Sequence, residues 1–193
     1  MRKSFLLYVL ALATCVFSAS LSVKAQSFTK ESSIISAGIG LGSSLWLSGG
    51  TGRPAISVNY EKGMWPVGDK HIISLGGYLG NTGYKSSGAS SGYTWESKWN
   101  FTVVGARSAF HYGGLNNDKL DLYGGVMLSY NIVSYKYTDN DPSWDYGNDT
   151  AASGIGFTGY VGGRYYFTPK LGAFAEVGYG VSTLSLGLSL KLK

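Results

Sequence analysis

Five charged residues fall on one alternating face, four of them among glycine, serine and tyrosine and apart from the aliphatic residues: Glu61, Arg107, Asp121, Arg164 and Glu176, with Arg107 the exception. Three carboxylates and two guanidiniums offer two chemistries. They can line and gate a narrow ion path, or they can pair inside a dry interior as a polar plug. In a dry interior the planar guanidinium fork suits a carboxylate, and a charge left unpaired is heavily penalised. A second acidic set, Asp139, Asp141, Asp145 and Asp149, falls in the stretch 138–153, which holds no Lys or Arg. Asp139-Asn140-Asp141 opens like a calcium loop, but Trp144 replaces the sixth-position glycine and Thr150 the closing glutamate. A solvated acidic loop is expected there, with cation capture as the alternative; no metal site and no cofactor are assigned. His71 and His111, the only histidines, fall beside short turns. A base acting at the outer leaflet would belong at the other, long-connector end, within reach of its substrate. No Ser/His/Asp set assembles at that end, so no catalytic residue is assigned and structural roles are expected for both histidines.

The elements that must hold these residues follow a period of two, the spacing at which strand side chains alternate between faces. Eight such stretches run over about 33–47, 54–65, 71–84, 94–112, 119–138, 153–168, 170–181 and 183–193. The last is the clearest: Leu184, Leu186, Leu188, Leu190 and Leu192 alternate with Ser185, Gly187, Ser189 and Lys191. One face is hydrocarbon over nearly the length that a tilted strand needs to cross a bilayer, roughly 9–11 residues. Leu184, Leu186, Leu188 and Leu190 are therefore expected to face lipid. In the fourth stretch Trp99, Phe101 and Val103 share a phase with Arg107, which a bulge or aromatic residues standing clear of the bilayer would reconcile. Trp65, Trp95, Trp99, Tyr84 and Tyr112, near strand ends, suit interfacial aromatic girdles. The connectors alternate: 65–70, 113–119 and 168–170 are short turns, whereas 48–53, 84–94 and 138–153 lie at the other end. Short periplasmic turns and longer outer loops are the habit of outer-membrane barrels, and an even strand count puts both termini in the periplasm. A soluble eight-stranded calyx would reverse the faces. The Gly, Ser and Ala of the second face suit a crowded lumen better than a wet surface.

The start of the chain addresses it for export. Arg2 and Lys3, the apolar run from Phe5 to Ala13, and Val23-Lys24-Ala25 before Gln26 make a cleavable signal peptide over 1–25. Leu12-Ala13-Thr14-Cys15 offers a competing lipoprotein box, with Thr14 where that box usually has Gly or Ala. Loss of Arg2, Lys3 and Lys24 reduces the formal +5 to +2, so the chain lacks the clustered basic face of a nucleic-acid binder. Cys15 is the single cysteine, and the mature chain would carry no disulfide and no thiol ligand. No other segment approaches the roughly 18 apolar residues of a membrane helix. Charged residues are 14% of the chain beside 29 glycines and 15 tyrosines, a charge-poor, strand-rich composition.

Over 26–193 the chain resembles the small eight-stranded outer-membrane β-barrel family, of the OmpA-like or opacity-porin-like kind. The resemblance rests on Ala106-Arg107 with His111-Tyr112, on Leu120-Asp121-Leu122-Tyr123-Gly124-Gly125, on Gly162-Gly163-Arg164-Tyr165-Tyr166-Phe167, and on Ala175-Glu176-Val177-Gly178-Tyr179-Gly180. The chain departs from the family in ending Leu192-Lys193, where an aromatic residue is usual. The resemblance implies an all-β, eight-stranded antiparallel up-and-down transmembrane barrel in the outer membrane of a Gram-negative bacterium. An eight-stranded interior is just wide enough for side chains to fill, so Arg107 and Arg164 are expected to bridge Glu61, Asp121 and Glu176. Tyr123, Tyr160 and Tyr166 would fill the remaining space and donate hydrogen bonds. The expected role is non-enzymatic, structural or at the surface; a narrow porin-like channel for small solutes is the alternative. Partners are outer-membrane lipid and, outside the cell, whatever engages the connectors 84–94 and 138–153; nucleic acid is excluded and a monomer is expected. No further domain follows the barrel stretch, so wall anchoring through one is not expected.

Overall fold

A computed structural model describes residues 28–43, 51–90, 92–115, 117–140 and 153–193. The leader 1–25 with Cys15, Leu45 and Leu47, and Asp141, Asp145 and Asp149 lie outside these residues. Eight strands follow in order: β1 (Ser33–Ser43), β2 (Thr51–Val67), β3 (His71–Ser90), β4 (Tyr93–Tyr112), β5 (Leu120–Asp139), β6 (Gly154–Tyr166), β7 (Leu171–Gly178) and β8 (Ser182–Lys191). Each pairs antiparallel with its neighbours, and β1 returns to β8 with Ile35 opposite Leu190 and Ala37 opposite Leu188. The closed ring leaves no strand edge unpaired where no water would satisfy it.

Alternation sets the two faces. Leu186, Leu188 and Leu190 are 41%, 55% and 42% exposed on the outside, while Ser185 and Ser189 are buried within. Leu184 shares their parity and is half-buried. On β5 the outward residues Leu122, Val126, Leu128, Tyr130 and Ile132 give way to Ser134, Lys136 and Thr138. Ten steps from Leu122 to Ile132 at about 3.4 Å, tilted by roughly 40°, make a belt about 26 Å tall, the height of a barrel's apolar band.

Three expectations are corrected. The stretch 84–94 is a hairpin, not a loop: Ala89 pairs with Thr94 and Ser90 with Tyr93. Gly92, at a φ of 83°, supplies the left-handed residue that a tight hairpin turn requires. β4 carries no bulge, since its pairing with both neighbours runs without a register shift. Trp99, Phe101 and Val103 therefore point inward with Arg107, and Val103 is 1% exposed. For the same reason Tyr84, Trp95 and Trp99 leave the girdle for the inner face, whereas Trp65 and Tyr112 stay outward.

Beyond the pairing limit of β2 at Thr51 and of β6 at Gly154, β3, β4 and β5 are the strands that continue among the described residues, as a projecting sheet. The lumen packs in layers: Tyr78, Val103, Met127 and Val181 toward the projecting end, and Phe28, Ile34, Ile72 and Tyr166 at the mouth beside the short turns. The charged residues lie between them.

Candidate functional site: the packed lumen and its rim

β2, β4, β5, β6 and β7 each contribute one charged side chain to the layer. Glu61, Arg107, Asp121 and Arg164 are all 3% exposed or less, and the Glu176 side chain is 12% exposed. Arg107 donates from both terminal nitrogens to Glu176, Nη2 to Oε2 at 2.6 Å and Nη1 to Oε1 at 3.3 Å. Its Nε lies 3.1 Å from Glu61 Oε1, yet its proton is directed to the Tyr160 hydroxyl at 3.0 Å. Arg164 donates from Nη1 to Asp121 Oδ2 at 3.0 Å and from Nη2 to Glu61 Oε2. Glu61 thus sits between two guanidiniums, and each guanidinium spans two carboxylates.

Tyrosines complete the layer. Tyr123 donates to Glu176 at 3.1 Å and lies under the Arg164 guanidinium at 4.4 Å. Tyr160 donates to the Ser108 carbonyl at 3.2 Å and stacks on Arg107 at 3.9 Å, a cation–π geometry that adds attraction in a desolvated site. Tyr160 reaches this position across Gly125, where a Cβ would meet the Ser108 carbonyl oxygen at 2.2 Å and the tyrosine ring at 2.7 Å. Tyr166 packs at the mouth, with Lys191 6.0 Å from its ring, and, against expectation, its buried hydroxyl makes no hydrogen bond among the described residues.

His111, Ser74 and Phe28 join the layer without having been singled out for it. His111 Nδ1 is 2.8 Å from Asp121 Oδ1, and Nε2 is 3.0 Å from Ser74 Oγ. The order Ser–His–Asp is that of a nucleophilic triad. Here it is walled in: Ser74 is 0% and His111 2% exposed. Asp121 is shared with Arg164, and the Phe28 ring lies flat on the imidazole at 3.7 Å. A nucleophile needs a site for the reacting atom about 3 Å away, and the set as folded acts as a hydrogen-bonded brace. His111 was legible, because it shares the phase of Arg107 four residues on; Ser74 and Phe28 meet it only through strand register and chain return. Phe28 is held there by a tight turn, with Ser32 N bonded to Thr29 O at 3.0 Å and Gly63 N to Ser32 O at 2.9 Å. His71 stands apart, packed on Phe110 and Tyr112.

At the other end the projecting sheet turns aromatic rings inward: Trp99 lies 4.4 Å from Tyr135, and Tyr93 donates to Asp139 at 2.9 Å. Hydrogen bonds to Tyr137 and Asp139 push the Tyr93 phenol above its ordinary range. On the outward side Glu96 pairs with Lys85 and Lys98. The hydrogen bond from Lys85, with that from Lys98, holds its carboxyl down at about 2. Among the described residues, no three His, Cys, Asp or Glu residues are placed to hold a metal ion.

No protein-family profile and no curated protein matches the chain. Among solved structures it is similar to Ail, the attachment invasion locus protein of Yersinia pestis, in complex with the heparin analogue sucrose octasulfate. That alignment has 12% identity, covers 83% of this chain and 93% of the other, and has a TM-score of 0.47. It is also similar to Neisserial surface protein A, at 21% identity, with 83% and 96% coverage and a TM-score of 0.46.

Proposed function

We propose that this chain is a non-enzymatic integral protein of a Gram-negative outer membrane, exported by cleavage of 1–25, whose work is done at its rims and not through its lumen. The observation that carries the reading is the inversion of faces. Outside is an apolar belt of bilayer height; inside are four charged side chains almost fully removed from solvent and paired with one another. Such charges are tolerable only if each finds its partner. The layer of Tyr78, Val103, Met127 and Val181 above them adds a second barrier to solutes. The role is structural or one of surface contact. The described regions available for contact outside are the hairpin of β3 and β4 and the end of β5, with 141–152 beyond the described residues.

Planar-bilayer recording of the purified protein tests this. A packed lumen gives no steady conductance, whereas a stable unitary current would favour a small-solute channel and overturn the reading. Migration of unboiled against boiled protein on a gel tests the barrel itself, since a folded barrel shifts on boiling.

A further inference from the structure

Three lysines occupy one cross-strand row on the outward face: Lys85 opposite Lys98, and Lys98 opposite Lys136. All three are exposed. Like charges placed directly opposite on a sheet repel; Glu96, two residues above this row opposite Ser87 and Thr138, is the carboxylate that Lys85 and Lys98 contact. A fourth cation, Arg53, sits one row nearer the belt, where it contacts Asn81 and donates to Asn100 at 3.1 Å. Among the described residues of the outward face at this end, four cations stand against one carboxylate, a net positive patch. The outward faces of β6, β7, β8 and β1 carry no cation at this end among the described residues.

Two further facts say what the patch faces. The lysine row stands four residues above Ile132, the last outward apolar residue of β5, which is about 10 Å in height at a tilt of roughly 40°. A lysine or arginine side chain is long enough to extend down from there to the headgroup layer, although Lys85 and Lys98 are here turned to Glu96. Directly below Arg53, an apolar groove of about 520 Å³ crosses β8, β1, β2 and β3 on the lipid side. Ala37 floors it between Leu188 and Val58; Ile56, Leu79 and Leu186 form its walls, and Asn81 its upper edge. Ala37 is small where its neighbours in the row are large, which makes the wall concave.

We infer that Arg53, Lys85, Lys98 and Lys136, with the groove over Ala37, form a binding site for one phosphorylated glycolipid of the outer leaflet. The phosphate lies against the cations and an acyl chain fills the groove. The inference rests on the outer-membrane reading above and deepens it: the barrel would hold a selected lipid on one side, in addition to a general lipid annulus. Charge complementarity singles out an anionic headgroup, and the hydrocarbon groove beneath singles out a lipid over a soluble phosphate.

The test uses the full mature chain, refolded in zwitterionic micelles, titrated with diphosphoryl lipid A and read by native mass spectrometry. The gel shift on boiling is recorded for every variant. The parent should retain one lipid A. Lys85→Gln with Lys98→Gln should weaken retention about 30-fold, on the worth of two surface cations, and added salt should shrink the difference. Ala37→Phe, which fills the groove from outside, should also release the lipid. Lys62→Gln, at the opposite end, should leave it bound. Equal retention by the parent and both site variants overturns the inference, as does equal binding of lipid A stripped of its phosphates. A folded parent that binds no lipid A counts against this site alone, while a parent with no heat-modifiable form counts against the outer-membrane reading.

Discussion

Replacing Arg164 by alanine is the sharpest probe of the charged layer. The guanidinium is 1% exposed and spans Asp121 and Glu61. Without it Asp121 keeps only His111, and Glu61 keeps only Arg107, whose Nε–H points to Tyr160. Removing one partner of a buried ion pair costs about 3–5 kcal/mol, because the remaining charge stays out of water. The two residual contacts argue for the middle of that range, about 4 kcal/mol. With a urea slope of about 2 kcal/mol per molar, the unfolding midpoint should fall by about 2 M. Tryptophan fluorescence of the barrel in phospholipid vesicles follows the transition, and Arg164→Lys, which keeps the charge and loses the fork, should lie between. Conductance should stay absent in both variants, because Tyr78, Val103, Met127 and Val181 still close the lumen. A midpoint within about 0.5 M of the parent, on the same slope, would refute pairing in a dry interior. If steady current appeared as well, the layer would be a gate.

Three further outcomes follow from the same geometry. Phe28→Ala removes a buried ring from the mouth and from the face of His111; it should lower the urea midpoint through a loss of about 3 kcal/mol. Ser74 should resist a fluorophosphonate probe in the folded barrel, since it is 0% exposed; labelling at Ser74 would mean that the brace opens to substrate. Glu96 titrates at about 2 in the folded protein, below its unfolded value, so its contacts are complete above the unfolded pKa and are lost as pH falls through the folded one. Carbon-13 NMR of Glu96 should give that low midpoint, and Lys85→Met with Lys98→Met should return it toward the ordinary carboxylate range.

The ring of strands was legible because lipid and lumen impose opposite chemistry on alternate residues, as Leu184 to Leu192 show. The charged layer was legible for a related reason: Glu61, Arg107, Asp121, Arg164 and Glu176 occupy the phase that lipid forbids. Legibility failed where the two faces stop differing. Trp99, Phe101 and Val103 left the fourth stretch ambiguous, because an apolar residue in a dry lumen resembles one in a bilayer; only the unbroken register of β4 places them inward. The hairpin over 84–94 read as a loop because its Ser and Gly content masks strand pairing, and Tyr84, Trp95 and Trp99, at and beside it, turn to the inner face. Ser74 and Phe28 were invisible for another reason. Their partner is His111, 37 residues from Ser74 by a cross-strand bond, and no local pattern encodes that meeting.

A barrel of eight strands has an interior that side chains alone can fill, and that geometry bears on where function can reside. Filling it with hydrocarbon would make both faces of every strand apolar, and the alternation that fixes register would vanish. Arginines and carboxylates instead fill the space and mark which face is inward, at the condition that each charge meets its partner. Once that condition is met the lumen is committed: Arg107 already holds Glu61, Glu176 and Tyr160 at once. Selectivity must then come from the ends, and the ends differ. One is closed by Phe28 and short turns; the other, among the described residues, rises on β3, β4 and β5, with aromatic rings inward and three lysines outward. A structural plug with a one-sided rim is what such a molecule needs to hold one lipid or one partner on a chosen side of itself.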